Sequence, residues 1–369
     1  MSAPVSPSHQ RPSLSWRLKS AMIMGMTGVI SRVFLYAFNR VEVTGLDRFL
    51  NLLDSRKDPA NRTRGLLTVS NHISVLDDPV VWGILPLRYA FNPSNLRWTL
   101  GAADICFANK IFSNFFTAGQ VLPCHRLKHS PFGGPFQPAL TQAIRLLSTP
   151  PPPSATPTPS TYTTTGLDSH PSPLSFPHYR RHSWVHVFPE GCVHQHASTD
   201  LRYFKWGLAR LILESDPVPD VLPMFIDGTQ RVMSEDRGFP RFLPRIGKTV
   251  RVAFGEVLDY EGVFGDLKKR WDRLVQREQQ KRMNGGGKGV VLTLPGELES
   301  EELRVGKEAQ EIRIEVARRM REEILKVRAQ LGFPEPDPKF ALAETWRADD
   351  DIEAKKYKSR VDGSIINQD

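Results

Sequence analysis

Cysteine is scarce in this chain, and its spacing excludes two kinds of site. Only three cysteines occur among 369 residues, at Cys106, Cys124 and Cys192. Zinc sites and disulfide frameworks need closely paired or regularly spaced cysteines, so neither is indicated. His194 and His196 follow Cys192, but no cluster of acidic ligands accompanies them, and we expect loop or surface histidines and no metal site. Cys192 as a thiol nucleophile stays an open alternative.

Acidic residues are absent from residues 1–41, where five arginines and lysines occur. An acid-poor, serine-containing amino terminus is typical of mitochondrial transit peptides. A clear cleavage site and an arginine-rich amphipathic helix are both missing from this segment. Internal targeting without cleavage is therefore an equal alternative to a removed transit peptide.

A long uninterrupted apolar run is also missing. The most apolar stretch, residues 21–38, contains Arg32 and two small polar residues, Thr27 and Ser31. A spanning helix needs about 20 mostly apolar residues, and an arginine within it is costly. We predict a helix that lies in the membrane interface, with Trp16, Arg17 and Lys19 at its polar end. The alternative is an ordinary helix packed on the protein core.

The charge balance points to an anionic partner. The chain has 49 basic and 40 acidic residues, a net charge of +9, and 40% hydrophobic residues, enough for a substantial core. No helix-turn-helix, zinc-finger or RNA-binding signature accompanies the positive charge, so nucleic acid is not the expected partner. Each basic residue near an anionic lipid surface contributes about 1 kcal/mol, and we predict that the protein binds a membrane surface.

A histidine and an aspartate follow the first strong strand pattern, residues 66–69. His72 lies five residues before Asp77. A histidine can accept a hydroxyl proton and return it near neutral pH, and a carboxylate on its second ring nitrogen orients the ring. On a helix five residues correspond to about 500° of rotation, so the two side chains meet only across a turn. Asp78, as a helix cap before Pro79, supplies that turn.

A second polar turn follows the apolar run 184–187. Phe188 and Pro189 precede Glu190 and Gly191. Glycine allows close approach of the backbone to a ligand. Together the two segments predict a histidine base oriented by an aspartate, next to a turn that binds substrate. This arrangement is suited to acyl transfer onto a substrate hydroxyl. Ser74 is interpreted as a turn residue, because no Gly-x-Ser-x-Gly elbow surrounds it.

Strand and helix patterns alternate along the first two thirds of the chain. This order predicts an α/β fold with a mixed, largely parallel sheet flanked by helices. The predicted strands are 65–70, 96–102, 119–123, 183–188, 221–226 and 249–255. The predicted helices between them are 79–85, 108–116, 138–147 and 204–215. Active residues are then expected where strands run into loops.

Three units are predicted: a basic segment over residues 1–40, a main domain over 41–262 and a helical, partly disordered extension over 263–369. The main domain contains an insert, residues 148–178, whose Pro, Ser and Thr content predicts disorder. The extension contains a basic helix that ends at the glycines 285–287 and a helix over 301–331. That second helix carries an apolar stripe, for which core packing is the default. The tail beyond about residue 345 is predicted to be disordered.

Four segments, in order, resemble the motifs of the glycerolipid acyltransferase family, also called the phosphate acyltransferase superfamily. They are residues 71–77, 119–126, 188–191 and 221–225. The resemblance implies a glycerol-phosphate acyltransferase-like fold in which His72 and Asp77 are catalytic. It also implies that Asn71, Arg126, Glu190 and Gly191 bind substrate. Arg126 is expected to hold a headgroup phosphate, and Glu190 to accept a substrate hydroxyl or to pair with a basic residue such as Arg126.

Three further segments, 97–107, 201–207 and 242–248, resemble the phospholipid–lysophospholipid transacylases of that family. This resemblance implies remodelling of cardiolipin from monolyso-cardiolipin without coenzyme A or any other cofactor. It also implies a place on mitochondrial inner and outer membranes, facing the intermembrane space. Two alternatives remain: an acyl-CoA-dependent lysophospholipid or glycerol-phosphate acyltransferase, and a non-catalytic membrane-surface protein. Against the first, no glycine-rich loop or compact basic cluster lies near the motifs.

Overall fold

A seven-stranded sheet forms the centre of the computed structural model, which describes residues 14–150, 160–173, 182–284, 294–298, 300–350 and 356–367. The described strands are β1 (Arg40–Thr44), β2 (Leu66–Val69), β3 (Trp98–Ala102), β4 (Val121–Cys124), β5 (Thr161–Tyr162), β6 (His170–Pro171), β7 (Trp184–Val187), β8 (Val193–Gln195), β9 (Asp220–Asp227), β10 (Thr249–Phe254), β11 (Lys356–Lys358) and β12 (Ile365–Asn367). The large sheet has the order β1-β10-β9-β2-β7-β3-β4.

Five neighbouring strands of this sheet, from β9 to β4, run parallel. β10 is antiparallel to β9, and β1 pairs in parallel with β10 at the sheet edge. The predicted mixed, largely parallel sheet is therefore confirmed. β1 was not predicted, because its side chains alternate between exposed and partly buried and include Arg40 and Glu42.

Helices flank the sheet. They are α1 (Leu14–Phe38), α2 (Leu46–Ser55), α3 (Asp77–Val81), α4 (Leu87–Ala90), α5 (Ala103–Cys106), α6 (Lys110–Ala118), α7 (Pro138–Leu147), α8 (Trp206–Leu213), α9 (Thr229–Val232), α10 (Tyr260–Asn284), α11 (Glu301–Val305), α12 (Lys307–Gln330) and α13 (Arg347–Asp350). Short 3-10 turns occur at Pro59–Asn61, Trp82–Ile84, Pro93–Asn95, Pro338–Ala341 and Ala343–Trp346.

The two faces of the sheet bury separate cores, because successive side chains of a strand point to opposite faces. In β2, Leu67 packs into a core shared with α7, α8, α10 and α12. Leu66 packs on the other face with α1, α2 and the segment that follows β2. The apolar stripe of α12 lies in the first core, where Ile312, Val316 and Met320 are fully buried.

The amino-terminal helix α1 packs one side on the protein and leaves the other open. Ser20, Met24 and Leu35 are buried, and the Ser20 hydroxyl donates to the Ala118 carbonyl of α6 at 2.7 Å. By length and composition α1 could cross a bilayer. Its exposed apolar residues recur every three or four positions: Leu14, Leu18, Met22, Met26, Ile30 and Val33.

Part of the predicted disordered insert is folded. Residues 160–173 contain the β5–β6 hairpin, where Asp168 accepts hydrogen bonds from the backbone of Thr164 and Thr165. The hairpin contacts the main domain through Thr164 Oγ1 and His125 Nε2, 2.7 Å apart. Residues 151–159 and 174–178 of the insert, like the predicted glycine linker at 285–287, lie outside the described residues.

The prediction of a disordered tail was wrong for the residues that the structure describes. β12 pairs with β8 on one side and with β11 on the other, both antiparallel. Long-range polar contacts hold this tail: Asp362 contacts His194, and Asp349 contacts Arg202 and Ser359. Composition did not reveal this order because His194 and Arg202 lie 168 and 147 positions from their partners in the tail.

Candidate active site

The motif residues gather at one edge of the sheet. His72 follows β2, Glu190 follows β7 and Arg126 follows β4, and these three strands run parallel within the sheet. Carboxyl ends of parallel strands meet at a common edge, where ligands of open α/β sheets bind. The predicted position of active residues at strand ends therefore agrees with the structure.

His72 and Asp77 meet across a tight turn. His72 Nδ1 lies 2.9 Å from Asp77 Oδ2, while the Asp77 side chain is fully buried and that of His72 is 22% exposed. With Nδ1 held by the carboxylate, Nε2 is the ring nitrogen available to a substrate hydroxyl. The ring also stacks on Phe188, with 4.3 Å between centroids and 23° between planes. The imidazole is thus fixed in position and partly open to solvent.

Asp77 is itself held from several sides. Its Oδ2 accepts hydrogen bonds from the backbone N–H groups of Ile73 and Ser74, at 2.7 and 2.9 Å. Its Oδ1 accepts a hydrogen bond of 2.5 Å from the Thr229 hydroxyl, which the loop after β9 presents. Hydrogen bonds of this kind hold a buried carboxylate in place, so the Asp77 side chain is fixed behind the imidazole. Sequence reasoning missed Thr229, since it lies 152 positions from Asp77.

Asp78 differs from its predicted role. Helix α3 begins at Asp77, so Asp78 lies within the first turn instead of capping it. Its carboxylate accepts hydrogen bonds from Arg97 and from the Trp82 indole, at 2.9 and 3.2 Å. Although burial opposes ionisation, the Arg97 guanidinium lowers the pKa of Asp78. Ser74 is a turn residue as predicted, with its hydroxyl accepting from the Leu76 N–H.

Glu190 supports the loop that carries His72. One carboxylate oxygen accepts from the His72 N–H and the other from the Arg202 N–H, both at 3.0 Å. The side chain is 1% exposed, and burial raises the pKa of Glu190. Backbone donors of two loops occupy both oxygens, and the basic neighbour of Glu190 is His194, whose Nδ1 lies 3.8 Å from Oε2, instead of the expected Arg126.

Asn71 is likewise a structural residue in this arrangement. Its amide donates to the Ile226 carbonyl and accepts from the Ile226 N–H, each at 2.8 Å. Beyond the end of β2, these two contacts take the place of the backbone hydrogen bonds that pair β2 with β9. The Asn71 side chain is fully buried. The predicted substrate contact of Asn71 is therefore corrected to a role in fixing the backbone next to His72.

Gly191 is exposed and Arg126 is partly exposed. Gly191 closes the turn after β7 with a φ of +69°, a conformation that favours glycine. Arg126 donates through Nε and Nη2 to both carboxylate oxygens of Asp104, a bidentate pair. Asp104 is 42% exposed, and although burial opposes ionisation, the Arg126 hydrogen bond lowers its pKa. The exposed carboxylate of Asp104 thus holds the Arg126 guanidinium near the carboxyl ends of the strands.

The cysteine alternative loses support. Burial raises the pKa of the Cys192 thiol, which disfavours the nucleophilic thiolate. His194 is fully buried, not a surface residue, and its two ring nitrogens contact the Asp200 carbonyl and Asp362 Oδ2 at 3.1 and 3.2 Å. Within the described residues, no group of three or more His, Cys, Asp or Glu side chains could hold a metal ion.

Comparisons with known proteins agree with this arrangement. A family model described as Acyltransferase matches residues 40–227, from β1 to the end of β9. Tafazzin of Saccharomyces cerevisiae is 35% identical over 94% of this chain and 87% of that protein. The chain belongs to the tafazzin family. Tafazzin of Drosophila melanogaster is 32% identical over 72% of this chain and 58% of that protein. Membership of the tafazzin family makes this chain a phospholipid acyltransferase.

Among solved structures, the 1-acyl-sn-glycerophosphate acyltransferase of Thermotoga maritima covers 74% of this chain and 84% of its own, at 18% identity and a TM-score of 0.38.

Proposed function

We propose that the protein moves acyl chains between phospholipids and lysophospholipids without coenzyme A, and so converts monolyso-cardiolipin to cardiolipin. The observation that carries this proposal is the fixed, partly exposed imidazole of His72 on the buried carboxylate of Asp77, 2.9 Å apart. The tafazzin relatives support the choice of reaction. The site needs no nucleophilic side chain, because the lysophospholipid hydroxyl is the nucleophile.

In this mechanism His72 Nε2 takes the proton of the lysophospholipid hydroxyl as its oxygen attacks the ester carbonyl of a second phospholipid. The tetrahedral intermediate collapses, and the bond to the original glycerol oxygen breaks. The imidazolium returns its proton to that oxygen, which leaves as a new lysophospholipid. Asp77 stabilises the imidazolium throughout and keeps Nε2 directed at the substrate. One ester replaces another, so no external energy source is required.

Arg126 is the proposed headgroup contact. It follows β4, three strands from β2, which places it about 14 Å from His72 along the sheet edge at about 4.8 Å per strand. A planar guanidinium can bind a phosphate through two parallel hydrogen bonds, as it now binds Asp104. The Gly191 turn lies between these positions and leaves backbone accessible to a headgroup.

A membrane supplies both proposed substrates. The exposed apolar stripe of α1 and the exposed Ile111, Phe112 and Phe115 of α6 form a surface suited to the bilayer interface. We propose that α1 lies in this interface, on mitochondrial inner and outer membranes and facing the intermembrane space. The acid-poor amino terminus and the tafazzin relatives support this location.

The proposed units remain residues 1–40, 41–262 and 263–369.

The proposed function is tested with purified full-length protein and labelled phosphatidylcholine as acyl donor for monolyso-cardiolipin. We expect label to move into cardiolipin without acyl-CoA, and not with His72→Ala. Transfer only from acyl-CoA would instead assign the chain to the coenzyme A-dependent acyltransferases. A folded protein that transfers from neither donor would support the non-catalytic membrane-surface alternative.

A further inference from the structure

Two phenylalanines on the loop between α9 and β10 are almost fully exposed. Phe239 is 92% exposed and Phe242 is 73% exposed. The same segment, residues 237–248, exposes Leu243 and Ile246, and we refer to it as the Arg–Phe loop. Single exposed apolar residues are ordinary, but four within eight positions form a patch, and such patches mark interaction sites.

The Arg–Phe loop is also basic. It contains Arg237, Arg241, Arg245 and Lys248 and no acidic residue. Three guanidiniums hold the loop in shape. Arg237 Nη1 donates to the Ser234 carbonyl and Arg245 Nη2 to the Gly238 carbonyl, each at 2.7 Å, and Arg241 Nη2 donates to the Glu235 carbonyl at 3.0 Å. None of the four basic side chains forms an ion pair with a carboxylate among the described residues. The loop itself therefore carries only positive charge, with Glu235 and Asp236 directly before it.

The loop lies beside both the site and the membrane-facing helix. At one end it follows α9, whose Thr229 contacts Asp77. At the other end the Gly247 N–H donates to the Phe38 carbonyl, the last residue of α1, at 2.8 Å. The loop thus continues the exposed apolar surface of α1 towards the sheet edge that carries His72.

We propose that the Arg–Phe loop docks on an anionic phospholipid surface, with Phe239 and Phe242 inserted below the headgroups and the basic side chains among the phosphates. This inference rests on the proposed phospholipid substrates and assigns a second contact with the surface that holds them. Aromatic rings beside cationic groups match the apolar interior and anionic rim of such a surface. A second copy of the chain fits less well, because a two-fold contact would place like charges against each other.

The first test is flotation of full-length Phe239→Ser/Phe242→Ser on vesicles of phosphatidylcholine containing phosphatidylglycerol, at limiting lipid. We expect the partition coefficient to fall by about tenfold or more, since two apolar side chains no longer leave water. Ile314→Ser/Met283→Ser is the matched control. Those side chains are 52% and 63% exposed, but lie on α12 and α10 away from the sheet edge. The control should float like the unchanged protein.

The second test addresses charge. Arg241→Gln should reduce the preference for the phosphatidylglycerol vesicles over pure phosphatidylcholine vesicles by about fivefold, and added salt should reduce it further. Unchanged flotation of the double phenylalanine variant would overturn the proposal and leave the patch for a protein partner. Acyl transfer between lipids dispersed in detergent separates the hypothesis of membrane docking by the Arg–Phe loop from the proposed transacylase function. The double variant should keep that activity, whereas failure of the unchanged protein there would count against the proposed function alone.

Discussion

Four histidine–aspartate pairs lie among the described residues, and two of them, His72–Asp77 and His194–Asp362, differ in what surrounds the ring. In the first, His72 is partly exposed at the sheet edge and Asp77 binds only its Nδ1. In the second, His194 is fully buried, and both of its nitrogens have protein partners. The same two side-chain types therefore leave one nitrogen for a substrate in the first pair and none in the second. Between these two pairs, the exposure of the ring, and not the residue types, distinguishes the candidate base from the structural histidine.

The two pairs are connected through the backbone. The His194 N–H donates to the His72 carbonyl at 2.9 Å, and Glu190 accepts the His72 N–H. Asp362 of the tail contacts the His194 ring, and the His194 backbone contacts the loop that carries His72. Asp362 therefore supports the position of this loop indirectly. Since this support acts on backbone position, loss of the second pair should affect stability more than chemistry.

Asp77→Asn should have the largest effect on activity, because it keeps the shape of the first pair and removes the charge of the aspartate. An amide can donate to Nδ1 and hold the wrong tautomer, so we expect kcat to fall by about 10²- to 10⁴-fold. Transfer of labelled acyl chains into monolyso-cardiolipin measures the effect. Thr229→Val is the matched control, because it removes one hydrogen bond to Asp77 and keeps the charge. A loss for Asp77→Asn no larger than for that control would contradict the assignment.

The equivalent change in the second pair is Asp362→Asn. A hydrogen bond involving a charged group contributes about 1.5 to 3 kcal/mol, and we expect the free energy of unfolding in urea to fall by that amount. Although burial opposes ionisation, hydrogen bonds from His194 and Ser364 hold the pKa of Asp362 well below its usual range. This stabilisation should therefore be present near neutral pH and decline as the pH falls below about 4. Activity per folded molecule should stay within about tenfold, and a larger loss would make Asp362 part of the chemistry.

A smaller effect should separate binding from chemistry at the same edge. Arg126→Lys keeps the charge but cannot form two parallel hydrogen bonds with a phosphate, so we expect KM to rise by about tenfold with little change in kcat. Arg97→Lys, at the buried pair with Asp78, should lower stability and leave KM unchanged. The assignment of Arg126 would be wrong if KM stayed constant and only stability fell.

A third histidine refines the comparison, since it lacks a carboxylate contact. His186 of β7 contacts the Thr68 and Ser70 hydroxyls, and burial lowers the pKa of His186 to about 3. The unfolded chain then binds more protons between about pH 6.5 and 3, so stability should fall with decreasing pH by up to about 1.4 kcal/mol per unit. Urea unfolding at pH 7 and pH 5 should show a smaller difference for His186→Gln. An equal difference would exclude this histidine as the cause.

Short-range signals made much of the site predictable. The apolar run 66–69 and the five-residue spacing of His72 and Asp77 lie in one continuous segment, and a turn was enough to join them. The same holds for the turn at Gly191. Buried parallel strands are apolar throughout, so β2 and β7 were visible in the sequence.

Contacts between distant segments were not predictable. Asp362 and His194 are 168 positions apart, and Thr229 and Asp77 are 152 apart. The polar composition of the tail predicts disorder. Its order depends on pairing with β8, which lies in another part of the chain. Glu190 and Asn71 were assigned to substrate for a similar reason, since the sequence does not show that backbone groups occupy their polar atoms.

The central claim is that the first pair performs acyl transfer and the second does not. The most direct measurement compares His72→Gln with His194→Gln in the labelled phosphatidylcholine and monolyso-cardiolipin assay without acyl-CoA, normalised to folded protein. We predict a loss of about 10³-fold or more for His72→Gln and less than about tenfold for His194→Gln. Equal losses, or an active His72→Gln protein, would contradict the account.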